Sequence, residues 1–188
     1  MDGVVTGGHR RIDRVLSADY LQGVTGLSLA EVRALRDEAD QEETDLSYLR
    51  RLLQARLDLV SAEIDRRAAG AAAPTDMVAY LTGVLSDGQR SPARGSGRHA
   101  LSEPSRAGES RRYVEQLVSD ALLTDLPVTA EDDLDEAREL LGHGEAAVSV
   151  QRAGVQAVLD ALNAEIGRRY RDGEASVDAL LAEGSLHE

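Results

Sequence analysis

The sequence predicts an all-α protein, in which two long helices form an antiparallel coiled-coil hairpin with short flanking and connecting helices. Three observations carry the prediction. The 188 residues contain no Phe, no Trp and only five Tyr, so a core has to be built from Leu, Val, Ile and Ala, the material of helix pairs and bundles. Two stretches, 28–69 and 129–172, contain no Pro, and each is long enough for a helix of roughly 40 residues and about 60 Å. The two stretches also repeat each other: residues 43–67 aligned with 145–169, an offset of 102, give 12 identities in 25.

Along the chain, residues 1–27 read as a Gly-rich tail followed by a short amphipathic segment with Ile12, Val15, Leu16, Tyr20 and Leu21. Ser28 with Glu31 three residues later forms a capping box, which starts the first long helix. Its apolar stripe is Leu46, Leu49, Leu53, Leu57, Val60 and Ile64, at steps of three and four that suit pairing with another helix. Gly70 ends it. Residues 70–128 form the connection: a short helix after Pro74 with Met77, Val78, Leu81 and Leu85, a Gly, Pro, Ser and Arg-rich linker over 87–108, and a second short helix over 109–121. The run Glu131, Asp132, Asp133, Asp135 and Glu136 suits the first turn of the second long helix, where carboxylates favour the helix dipole without any metal. In that helix Val148, Val155, Leu159, Leu162 and Ile166 repeat the apolar stripe, while Gly142 and Gly144 mark a local bend or a close approach. An amphipathic segment from Val177 to Leu181 makes 173–188 a short C-terminal helix.

The formal net charge of −13 disfavours direct DNA binding, which needs a concentrated basic face, and suits a basic partner. No Cys is present, so no disulfide framework or thiol nucleophile exists. The absence of a long apolar run or a signal-peptide pattern leads to the expectation of a cytoplasmic protein without membrane contact. Enzyme signatures are missing too: His9, His99, His143 and His187 are scattered without metal-ligand spacing, and no nucleophile elbow or phosphate loop occurs. The expectation is a non-enzyme without a metal.

The chemistry of the repeat lies in five polar residues present twice at the same spacing: Glu43, Ser47, Arg50, Gln54 and Asp58, then Glu145, Ser149, Arg152, Gln156 and Asp160. Steps of 4, 3, 4 and 4 keep each set within roughly 80° of helical arc and spread it over about 22 Å. On the helical wheel the stripe flanks the apolar seam, so two paired helices would line one groove with it. Arg and Asp facing one purine read guanine: the carboxylate accepts from N1–H and N2–H₂, and the guanidinium fork donates to O6 and N7 or to phosphate. Ser and Gln add shorter contacts, and Glu can hold Arg in position. The plain alternative is a solvated helix face in a nucleotide-independent coiled-coil adaptor.

With both copies of Glu-x3-Ser-x2-Arg-x3-Gln-x3-Asp complete, the chain resembles the RsiG-type anti-sigma factors of sporulating actinobacteria over about 28–69 and 129–172. The resemblance implies a cyclic di-GMP ligand, two per chain, bound by the ten motif residues. It also implies a WhiG-type sigma factor as partner, held away from RNA polymerase when the ligand is bound, by a monomer or in a 1:1 complex. The second copy departs from the first around its fixed residues, with Ala153 and Gly154 where the first has Arg51 and Leu52. A further face of the first helix, carrying Tyr48, Leu52 and Leu59, is the expected partner-binding surface.

Overall fold

The computed structural model describes residues 10–72, 82–83 and 103–173. The tail before residue 10, the helix expected after Pro74 apart from residues 82–83, which are helical, and the C-terminal segment from Val177 to Leu181 lie outside the described residues, as does most of the expected linker. Every element among the described residues is helical: α1 (Arg11–Val15), α2 (Leu29–Ala68), α3 (Ala107–Leu117), α4 (Asp120–Thr124) and α5 (Glu131–Arg171), with 3-10 turns at Val24–Gly26 and Leu126–Val128. The long helices α2 and α5 pack against each other, as the composition and the repeat require.

The capping box forms as read. The Ser28 Oγ accepts from the Glu31 N–H at 3.2 Å, and the Ser28 N–H donates to Glu31 Oε2 at 2.7 Å. At the other end of α2, Gly70 takes φ +64°, its N–H bonds to the Arg67 carbonyl and that of Ala71 to Arg66. This is a Schellman closure, and only Gly adopts that φ without strain.

The buried apolar residues of α2 are Val32, Ala39, Leu46, Leu53 and Val60, spaced by seven; those of α5 include Leu134, Leu141, Val148, Val155 and Leu162, also spaced by seven. This is a coiled-coil heptad, and every α5 member lies 102 positions after its α2 counterpart. The repeat therefore reaches beyond residues 43–67. It takes in the 3-10 turns as well, since Leu126–Val128 follows Val24–Gly26 by the same 102.

The chain divides into two compact units, Met1–Glu43 with Arg152–Glu188, and Thr44–Gln151. In the first, the N-terminal part of α2 runs antiparallel to the C-terminal part of α5, with Arg33 bonded to Tyr170 and Glu43 to Arg152. The α1 segment covers α2 here. Ile12, Val15 and Tyr20 are buried, the Tyr20 hydroxyl donates to the Leu35 carbonyl at 2.8 Å, and Arg11 Nε donates to the buried Glu42 at 2.6 Å. Gly154 explains itself in this unit: a Cβ there would stand 2.9 Å from Leu16 Cδ2.

The second unit pairs the C-terminal part of α2 with the N-terminal part of α5, again antiparallel, through Arg50 to Ser149 and Gln54 to Glu145. The connecting helix differs from the expected one in two ways. It begins at Ala107, inside the stretch read as linker, because the buried Asp45 carboxylate of α2 holds the turn before it. The Ser105 N–H and Oγ donate to Asp45 at 2.6 and 2.7 Å, and Arg106 Nε donates at 3.2 Å. It also breaks at Val118, which is extended, and Ser119 caps α4 by accepting from the Leu122 N–H at 3.2 Å. Gly144 is a close approach, not a bend: its Cβ would sit 3.2 Å from Leu117 and 3.4 Å from Leu53. No side chain lies near Gly142, and α5 is unbroken across both.

Each unit closes with the same clasp. Glu63 accepts from Arg66 and Arg67, and Arg67 reaches on to the Leu126 carbonyl at 2.7 Å. Glu165 accepts from Arg168 and Arg169, and Arg169 reaches the Val24 and Leu27 carbonyls at 2.8 and 2.7 Å. The second arginine of each pair thus ties down the turn that opens the other long helix. The sequence showed these residues only as identities, because what they hold is distant in the chain.

Candidate ligand site

Seven of the ten motif residues are joined by hydrogen bonds between the long helices, Arg50, Gln54, Glu145 and Ser149 in one unit and Glu43, Arg152 and Gln156 in the other. In the Thr44–Gln151 unit, Arg50 Nε donates to Glu145 Oε1 at 2.7 Å and to Ser149 Oγ at 2.9 Å. Ser149 Oγ in turn donates to the same carboxylate oxygen at 2.9 Å, and Gln54 Nε2 approaches it at 3.2 Å. One oxygen of Glu145 so gathers three side chains. Ser47 and Asp58 stand on the same helix as Arg50, both half-buried.

In the other unit the roles of the two copies exchange. Arg152 Nε donates to Glu43 Oε1 at 2.8 Å, and Gln156 Nε2 approaches that oxygen at 3.3 Å. The side chains are alike in exposure as well, 34% and 20% for Arg50 and Glu145 against 30% and 21% for Arg152 and Glu43. Asp160, further along α5, is exposed. In each cluster the glutamate belongs to one copy of the motif and the arginine and glutamine to the other, an arrangement that equal spacing on one helix does not reveal.

The unfilled hydrogen-bonding capacity is specific. Among the described residues, the terminal amino groups of Arg50 and the carboxylates of Asp58 and Asp160 have no hydrogen-bond partner. Burial without a cation raises the Asp58 carboxyl above its usual range. A half-buried carboxylate in that condition gains from any ligand that brings N–H donors. Arg50 offers the end of its guanidinium, the geometry that grips a phosphate or the O6 and N7 of a guanine.

Outside these clusters, the face expected to bind a partner is half-buried: the Tyr48 hydroxyl accepts from Arg111 Nε of α3 at 2.9 Å, and Leu52 and Leu59 are partly covered. His143 is exposed, and the other three histidines are outside the described residues. No group of three His, Cys, Asp or Glu among the described residues is placed to hold a metal ion. No helix described is long and apolar enough to cross a membrane. Asp45, between Glu43 and Ser47 on α2, was missed as an anchor because its partners lie 60 and 61 residues away.

A family model described as RsiG-like matches residues 18–85 and 120–183. The chain belongs to the RsiG-like family. Each matched segment contains one long helix and one copy of the motif. The family is one of anti-sigma-type regulators and is not an enzyme family, which points to an anti-sigma role for the chain. Comparison with curated proteins returned no match.

Proposed function

We propose that this member of the RsiG-like family is an anti-sigma factor gated by cyclic di-GMP, which binds a WhiG-type sporulation sigma factor when loaded and releases it to RNA polymerase when the nucleotide level falls. The observation that carries the reading is the pair of like clusters. Each has an arginine held through its Nε and, about two turns along the same helix, an aspartate that has no hydrogen-bond partner among the described residues. Guanine supplies N1–H and N2–H₂ to such a carboxylate, while O6, N7 or a phosphate takes the guanidinium. Two clusters suit the two nucleotides per chain that the family resemblance implies.

The ligand acts on sigma binding only through its preference for one form of the protein. Bound nucleotide adds contacts to Arg50 and Arg152, already held by the facing glutamates, and engages Asp58 and Asp160, favouring the paired state of the helices that sigma recognises. The face with Tyr48, Leu52 and Leu59 is the first candidate for sigma contact, and Leu52→Arg is expected to weaken the complex while the fold is kept.

The test is isothermal titration with cyclic di-GMP, of the protein alone and of the protein mixed with sigma. Two nucleotides per chain, with binding lost in the Asp58→Ala, Asp160→Ala double variant, are expected. Equal sigma affinity with and without nucleotide would leave the repeat as the frame of a nucleotide-independent adaptor.

A further inference from the structure

We infer that Glu43 and Glu145 are positioning residues: each sets the guanidinium of the opposite motif copy instead of contacting the nucleotide. The inference deepens the cyclic di-GMP reading and rests on it. A guanidinium has two edges able to make paired hydrogen bonds, one formed by Nε with a terminal amino group and one formed by the two terminal amino groups. In both clusters the Nε is committed, to Glu145 and Ser149 in one and to Glu43 in the other. For Arg50 this leaves the terminal pair for a ligand, aimed by a carboxylate on the facing helix.

Charge argues the same way. Cyclic di-GMP carries two phosphate charges, and a glutamate already paired with an arginine adds no net negative charge beside them, while an aspartate is compensated by the N–H donors of the guanine edge it accepts from. The oxygen used by Glu145 already collects Arg50, Ser149 and Gln54. The aspartates, which have no such partner among the described residues, are the carboxylates left for guanine. The arrangement also makes each arginine depend on the other helix for its direction, so ligand affinity is linked to helix pairing.

The test is a pair of double-mutant cycles read by titration with cyclic di-GMP. Glu145→Ala is expected to weaken binding about tenfold or more, as loss of a charged hydrogen bond does. Combined with Arg50→Ala it should add nothing to the loss from Arg50→Ala alone, because Glu145 then has nothing to position. Combined with Arg152→Ala, which contacts Glu43, the losses should multiply. Glu145→Gln, whose amide oxygen still accepts from Nε, should restore part of the affinity and guards against a folding defect in the alanine variant. If Glu145→Ala and Arg50→Ala multiply in full, Glu145 touches the nucleotide and the assignment is wrong while the ligand reading stands. If the unaltered protein takes up no nucleotide, both fail together.

Discussion

The two clasps give an internal control, since the same chemistry occurs twice at different depth. Arg169 is 5% exposed and supplies two carbonyls, Val24 and Leu27, besides Glu165. Arg67 is 24% exposed and supplies one, Leu126, besides Glu63. In either alanine variant the glutamate keeps its other arginine, so the difference lies in the carbonyl contacts. A hydrogen bond to a charged group contributes about 1.5 kcal/mol at the lower end, so Arg169→Ala should cost about 3 kcal/mol. Arg67→Ala removes one such bond from a better solvated side chain, for about 1 kcal/mol. For a chain of this size each kcal/mol moves the midpoint by about 2–4 °C, so thermal unfolding followed by circular dichroism should shift down by about 6–12 °C and about 2–4 °C respectively. A loss in Arg67→Ala equal to or larger than that in Arg169→Ala would refute the argument from depth.

Leu53→Ala, at a fully buried heptad position, should cost about 3 kcal/mol in urea unfolding, and Leu49→Ala on the half-buried flank less than half of that. Asp45→Ala should release the turn at 105–106 and raise amide exchange in α3 while α2 keeps its protection, since burial alone would raise the Asp45 carboxyl but the hydrogen bonds from Ser105 and Arg106 outweigh it and hold it low. The Glu165 carboxyl is held at about 2 by hydrogen bonds from Arg168 and Arg169, below its value in an unfolded chain. Its contribution to stability is therefore complete above the unfolded carboxyl range and is lost as pH falls through about 2; an acid titration of Glu165→Gln should show a flatter fall in that window than the unaltered chain.

The long helices were legible because their evidence is local: Ser28 with Glu31 marks a start, Gly70 an end, and apolar residues at steps of three and four mark the seam between. The five-residue motif was legible as chemistry for the same reason. Its wiring was not, because Glu43 and Arg50 on one wheel say nothing about whether Glu43 meets Arg50 or Arg152. The start of α3 escaped for a related reason, as its anchor Asp45 belongs to another helix. On sequence Gly144 marks either a bend or a close approach and Gly154 only a departure from the first copy, whereas in the structure each makes room for leucine, Leu53 and Leu117 at one and Leu16 at the other. Packing partners decide such positions, and partners are what a linear pattern lacks.

Register ties these features to the proposed function. The crossings Glu43 to Arg152 and Arg50 to Glu145 share one antiparallel register, since both pairs of residue numbers sum to 195. With copies 102 apart the two exchanged pairs share a register whatever the interval between Glu and Arg, and here that interval is seven, the same that spaces the buried heptad. Core and motif thus repeat in step, and a slip of one residue in the core would part both glutamates from their arginines. On the proposed reading, a ligand that needs both arginines aimed favours this register, and a nucleotide bound at the polar stripe would thereby act on the helix pairing offered to sigma.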